Sequence, residues 1–184
     1  MYEILLDVNK LEYVDDANLW VYILNICRIY VTLLSSSWEI IIISPYYKYT
    51  PANVLENEHF KLYWNRSILT DKTIHFKWPD IIFMNKKTKN TFLIGIDVPN
   101  THNLAKTITD KQNKYQELAN QICAMWKQKA VKVIPIVISS TGVTPKSQSQ
   151  SLTGFNLHPN TYIQLQKSVI LGTCSIVRNF LNYK

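Results

Sequence analysis

The stretch Trp78-Pro79-Asp80-Ile81-Ile82, followed by Leu93-Ile94-Gly95-Ile96-Asp97-Val98 and then Lys111-Gln112-Asn113-Lys114-Tyr115, decides how this chain folds. Ile81 to Met84 is a short continuous apolar run, which suits a central strand buried on both faces. Phe92 to Val98 is the next strand, ended by Pro99-Asn100. Between them, Asn85-Lys86-Lys87-Thr88-Lys89-Asn90 is a charged turn. Thr101 can cap a helix that runs to about Lys127 or Lys129. Its apolar stripe is Leu104, Ile108, Tyr115, Leu118, Ile122 and Met125, and Lys111 falls on that stripe at i+3 from Ile108 and i+4 before Tyr115.

A lysine on the inward stripe of a helix must snorkel, pair with a carboxylate or serve a site. Asp80 heads one strand and Asp97 nears the tail of the next. If those strands are hairpin partners, the head of one lies beside the tail of the other, and two carboxylates come together. Hydrolysis of a phosphodiester needs charge stabilised on the transferring phosphorus and water made nucleophilic. Hard divalent ions do both and prefer carboxylate oxygens, and a nearby lysine can orient the water or stabilise charge. Each residue also has a structural reading. Pro-Asp is a common turn pair, an aspartate before Val-Pro can simply end a strand, and Lys111 can pair with Asp110 or another acid.

Outward from this core, the texture is that of one mixed domain. Phe60 to Ile68 alternates weakly. Lys72 to Lys77 alternates polar and apolar side chains, with Ile74 and Phe76 on one face, and predicts a half-buried strand. Val131 to Ser139 is another buried strand, and Pro135 inside it argues for an edge or bulge position. Lys146 to Leu152 can start a short helix. Pro159 to about Asn182 predicts a last amphipathic helix with Ile163, Val169, Ile170, Cys174, Val177 and Leu181 inward. The order β-β-β-α-β-(α)-α points to a mixed α/β sandwich.

Residues 1–45 differ. Leu19 to Leu34 is strongly apolar but broken by Asn25 and Arg28, and is short of the roughly 20 apolar residues of a membrane span. Asp15 and Asp16 precede it where a signal peptide would be positive, which argues against secretion. A buried helix is the expectation there. Pro45-Tyr46-Tyr47-Lys48-Tyr49-Thr50-Pro51 then forms an aromatic connector.

The 184 residues, 47% of them hydrophobic, fit one ordinary domain with a real core. Cys27, Cys123 and Cys174 are odd in number and far apart, which predicts a reducing intracellular setting and no disulfide framework. The four histidines form no ligand cluster by spacing. Net charge is +7 but uneven. Residues 1–60 hold three basic residues against eight acids, whereas 61–184 hold 17 against five. A basic body of this size favours a polyanionic partner, with a solvated lysine surface as the plain alternative.

From about Tyr46 to the C-terminus the chain resembles the C-terminal restriction-like endonuclease region of non-LTR retrotransposon polyproteins of the insect and invertebrate type. The matching stretches run in order: Val54-Leu-Glu-Asn57, Lys61-Leu-Tyr-Trp-Asn-Arg66, Leu69-Thr-Asp-Lys-Thr73, Pro79-Asp-Ile81, Val98-Pro-Asn-Thr-His-Asn103, Asp110-Lys111, Lys114-Tyr115, Ile134-Pro-Ile-Val137, Thr141-Gly142, Pro145-Lys146, Leu165-Gln-Lys167, Leu171-Gly-Thr-Cys174 and Ile176-Val-Arg178.

The resemblance implies a PD-(D/E)xK-type core, with helices flanking a mixed, largely hairpin-built sheet. It also implies Mg²⁺- or Mn²⁺-dependent nicking of target duplex DNA to prime reverse transcription. It covers no polymerase, so the chain is expected to be a remnant of such a polyprotein, comprising a divergent leader over 1–45 and an endonuclease-like domain over 46–184. Asp80 matches the first metal-binding aspartate. Lys111 and Lys114-Tyr115 match the helix-borne lysine and the K-Y pattern. Lys111 would orient water or stabilise charge, Lys114 would contact phosphate, and Tyr115 would buttress the site.

The second metal-binding aspartate lies four residues before the proline aligned with Pro99, and that position is Gly95. Asp97 is two residues on, on the same strand face but displaced by about 6–7 Å. Asn65 stands where many relatives have aspartate in a Tyr-Trp-Asp-Arg pattern. Two readings follow: an endonuclease using Asp80 and Asp97 as metal ligands, its site weakened or lost at Gly95, or a catalytically dead basic module binding DNA or RNA. The expected setting is intracellular and nuclear, with no small-molecule cofactor and no membrane attachment.

Overall fold

A computed structural model describes residues 52–146, 148 and 161–182. The expectations for residues 1–45, for the connector 45–51 and for most of 146–152 therefore lie outside the described residues. Five strands form one sheet in the order β1-β2-β3-β4-β5: β1 Val54–Glu56, β2 Phe60–Trp64, β3 Ile81–Asn85, β4 Asn90–Asp97 and β5 Ala130–Val137. Neighbours β1 to β4 pair antiparallel, and β5 lies parallel to β4. The parallel pair requires a crossover, which is helix α1, Leu104–Met125. Helix α2, Thr161–Asn182, follows β5. This is a mixed five-stranded sheet with helices, in the α+β class.

The period-2 pattern sorts the core into two layers. Leu62, Ile81, Phe83, Ile94, Ile96, Ile134 and Ile136 pack on one face with Leu165 and Val169 of α2. Ile82 and Leu93 pack on the other with Tyr115, Leu118, Ala119 and Ile122 of α1, together with Ile68 and Ile74. Ile81, Ile82 and Phe83 are buried on both faces, as expected of the middle strand. Pro135 lies in β5, an edge strand, where its missing N–H costs little.

The turn between β3 and β4 is as expected. Asn85 Oδ1 accepts from the Thr88 amide at 2.9 Å, and Lys89 adopts the left-handed φ of 54° that closes it. Helix α1 begins differently. Asn100, not Thr101, caps the start: its Oδ1 accepts from Thr101 N at 2.7 Å, and Thr101–Asn103 is a 3₁₀ turn before the α-helix proper. The helix stops at Met125, short of the predicted Lys127 or Lys129. Lys127, at φ 50°, turns the chain away in a left-handed C-terminal cap.

Two other expectations are corrected. Lys72 to Lys77 is not a strand but part of an irregular segment between β2 and β3. Ile74 is buried against α1, whereas Phe76, two residues on, is exposed. β2 is already paired on both edges, by β1 and β3, so no ladder partner remains there to turn alternation into pairing. Helix α2 is rotated from most of the predicted face. Val169 is buried as expected and Val177 half-buried, but Leu165 is the other buried residue, with Ile176 packed beside them, while Ile163, Ile170, Cys174 and Leu181 are exposed. Apolar residues lie nearly all round this helix, so periodicity alone cannot choose which stripe faces the sheet. None of the described helices is long and apolar enough to cross a membrane.

Candidate active site

The site begins with a strand that stops early. β3 pairs with β4 from Ile81 opposite Ile94. Continuing that register two residues back sets Pro79 opposite Ile96. Proline has no N–H to offer the Ile96 carbonyl, so the ladder ends and two main-chain groups of Ile96 need other partners. Side chains supply them. Asp80 Oδ2 accepts from Ile96 N at 2.6 Å, and Lys111 Nζ donates to Ile96 O at 3.0 Å. One residue of β4 is thus held by an acid from the head of β3 and a base from α1.

The second acid joins from β4 itself. Lys111 Nζ lies 3.5 Å from Asp97 Oδ2 and 3.9 Å from Asp80 Oδ2. Of the possible acid partners, Lys111 takes these two and not Asp110. Its side chain is only 13% exposed, against 20% for Asp80 and 40% for Asp97. The other oxygen of Asp97, Oδ1, accepts from Val98 N at 2.9 Å, which fixes the carboxylate at the strand end. The expected acid–acid–lysine meeting is therefore present, with Asp97 bringing the second carboxylate.

Gly95 explains why a residue one rung nearer does not. A Cβ built on it would come within 3.0 Å of Tyr115 Cε2 and 3.3 Å of Lys111 Cδ. The Tyr115 ring and the Lys111 stem fill the space that a side chain at position 95 would take. Tyr115 is fully buried, and its hydroxyl donates to the Trp78 carbonyl at 3.0 Å, tying α1 to the residue before Pro79. Burial, then the negative fields of Asp80 and Asp97, push the Tyr115 phenol well above its ordinary range, so it stays protonated and serves as a donor.

Lys114 sits outside the carboxylate pair. Its Nζ lies 5.0 Å from the centre of the Phe76 ring and 5.3 Å from that of Tyr115. Burial raises the Asp80 carboxyl above the usual aspartate range. Lys111, the Ile96 N–H and Lys114 oppose that rise, and Asp97 adds to it. Asp80 is thus a desolvated acid made tolerable by a cation, an environment typical of functional carboxylates.

No protein-family model matches this chain, and no curated protein matches it. The chemistry must come from the geometry. Among the described residues, no group of three or more His, Cys, Asp or Glu could hold a metal ion. Zinc-type sites and carboxylate cages therefore find no donors there. Mg²⁺ asks for less: one or two carboxylates, other oxygens and retained water. Asp80, Asp97 and the Ile96 carbonyl are such oxygens, and all three surround one cation already, the Lys111 ammonium. An ion placed there would have to displace that ammonium from the same oxygens.

Sequence reasoning missed Ile96, whose contribution is entirely main-chain, and Trp78, whose carbonyl anchors Tyr115. The signal for the first was Pro79, whose missing N–H can be read directly from the sequence once the register is known.

Proposed function

We propose that this chain is a restriction-endonuclease-like domain of the non-LTR retrotransposon type that nicks duplex DNA with a divalent metal ion held by Asp80 and Asp97. The observation that carries this reading is the convergence of Asp80, Asp97 and Lys111, brought from β3, β4 and α1, around the Ile96 carbonyl. Bound there, Mg²⁺ or Mn²⁺ would stabilise charge on the phosphate and make water nucleophilic. Lys111 orients water or meets the developing charge beside the scissile phosphate. Lys114 adds positive potential next to Asp80, and Tyr115 holds the Trp78-Pro79-Asp80 turn against α1. The basic body of the chain draws in the polyanion.

One observation favours a second reading, a basic nucleic-acid-binding module without catalysis. Lys111 already neutralises both carboxylates, and the space beside Gly95 is filled. Incubation of the full chain with supercoiled plasmid and Mg²⁺ or Mn²⁺ separates the two. Metal-dependent nicking that is abolished by Asp80→Asn and by Asp97→Ala supports the endonuclease. Plasmid binding with no nicking in either metal supports the module.

A further inference from the structure

Beside the acid–lysine cluster, the segment between β2 and β3 leaves an aromatic, basic hollow. Ile74, His75, Phe76, Lys77, Trp78 and Lys114 line a space of about 410 Å³. Trp78 is 59% and Phe76 51% exposed. Large apolar side chains so open to water need a reason when they adjoin each other and a cation. Over residues 66–79 the segment carries Arg66, Lys72 and Lys77 against the single acid Asp71.

The exposed indole is held in place. Trp78 Nε1 donates to Asn65 Oδ1 at 3.1 Å, and the Trp78 carbonyl accepts the Tyr115 hydroxyl. Asn65 is itself fixed in a left-handed turn, φ 46°, with its amide on the Asp80 carbonyl at 3.0 Å. A ring anchored at both its edge and its backbone loses little freedom when something stacks on it. Phe76 is engaged differently, because the Lys114 ammonium sits over its ring. The hollow thus presents one preset aromatic surface and a cation at its side.

We propose that this hollow binds an unpaired nucleotide of a single-stranded or unwound nucleic acid, its base stacked on Trp78 and its phosphate met by Lys114 and Lys77. An indole face stacks well on an exposed base face, and within a duplex those faces are covered by neighbouring bases. Trp78 directly precedes Pro79-Asp80, so the stacked nucleotide lies next to the strand held at the acid cluster. The inference rests on the nucleic-acid reading above but not on cutting.

The test is metal-free. Binding of the full chain to a labelled oligothymidylate of about 12 nucleotides, within the roughly 4–16 of known single-strand modules, is followed by anisotropy in EDTA. An oligouridylate of equal length and a duplex of the same sequence run alongside. Trp78→Ala is expected to weaken binding of the unpaired strand about 5- to 150-fold, and Trp78→Phe to keep most of it. Lys114→Gln should lower the salt slope by about 0.7. Loss of binding in Trp78→Ala with either strand supports the hollow, and the ranking of the two strands shows whether it prefers DNA or RNA. Trp78→Ala binding as tightly as wild type overturns the proposal, as does a duplex bound as tightly as the single strand. A protein that binds none of the three also overturns the nucleic-acid reading, whereas duplex binding independent of Trp78 leaves that reading standing.

Discussion

Gly95→Ala is the sharpest probe of how the site is built. The added methyl would stand 3.0 Å from Tyr115 Cε2 and 3.3 Å from Lys111 Cδ, whereas relaxed carbon contacts fall at about 3.5–4.0 Å. Something must move by about half an ångström. The lysine stem can bend. The Tyr115 ring is enclosed by core and tethered through its hydroxyl to the Trp78 carbonyl. Overpacking of this kind costs about 1–3 kcal/mol, and removing a strand glycine returns about 0.5–1 kcal/mol. The net expectation is a loss centred on about 1 kcal/mol, between about 0 and 2.5 kcal/mol, or about 2–4 °C in Tm at the centre for a chain of this size. Thermal unfolding followed by circular dichroism reads it directly. The same substitution on a Tyr115→Phe background, where the ring is no longer tethered, should cost less, with a coupling of about 0.5–1 kcal/mol. A Gly95→Ala protein more stable than wild type refutes the argument that the tyrosine and lysine occupy this space.

Asp80 should leave a mark on stability versus pH. Its folded pKa lies above the unfolded value, so its contribution to stability is complete below about pH 3.9 and is lost as pH rises through the folded pKa. Asp80→Asn should flatten that fall, leaving the protein at least as stable as wild type at neutral pH in urea titrations. A steeper fall would contradict the sign. Lys111→Met removes the cation that holds this carboxyl down, so the Asp80 pKa, followed by carboxyl NMR, should rise further. A decrease would show that the ammonium does not act on it. In the plasmid assay, Lys111→Met should slow nicking by about 100-fold or more; undiminished nicking would remove Lys111 from the chemistry. On the far face, Leu165→Ala should cost about 2–5 kcal/mol, because it is fully buried between α2 and the sheet. A neutral result would mean that α2 does not close that layer.

The central hairpin and α1 were legible because several independent signals agree there. A continuous apolar run, a charged turn and a stripe at helical spacing admit one arrangement, and Lys111 on that stripe had few fates other than meeting an acid. The Lys72–Lys77 segment was not legible. Two alternating residues are too few to set a strand, and pairing depends on which sheet edges are already taken. The face of α2 was hidden by its surplus of apolar side chains. At the site, spacing led to Gly95, while the carboxylate that meets Lys111 belongs to Asp97. Spacing reports position along a strand, but the reach of a lysine across the end of a sheet depends on where the partner strand stops.

That stopping point has a consequence for how the molecule assembles. Sheet propagation and site assembly are rival fates for the same main-chain groups. A residue 79 with an amide hydrogen would let β3 grow another rung along β4, capture the Ile96 carbonyl and turn the Lys111 ammonium loose. Proline offers no hydrogen for that rung, and so leaves the Ile96 carbonyl to the Lys111 ammonium of α1. Pro79 therefore acts as a stop: it ends the central ladder one rung short, and the crossover helix fills the gap.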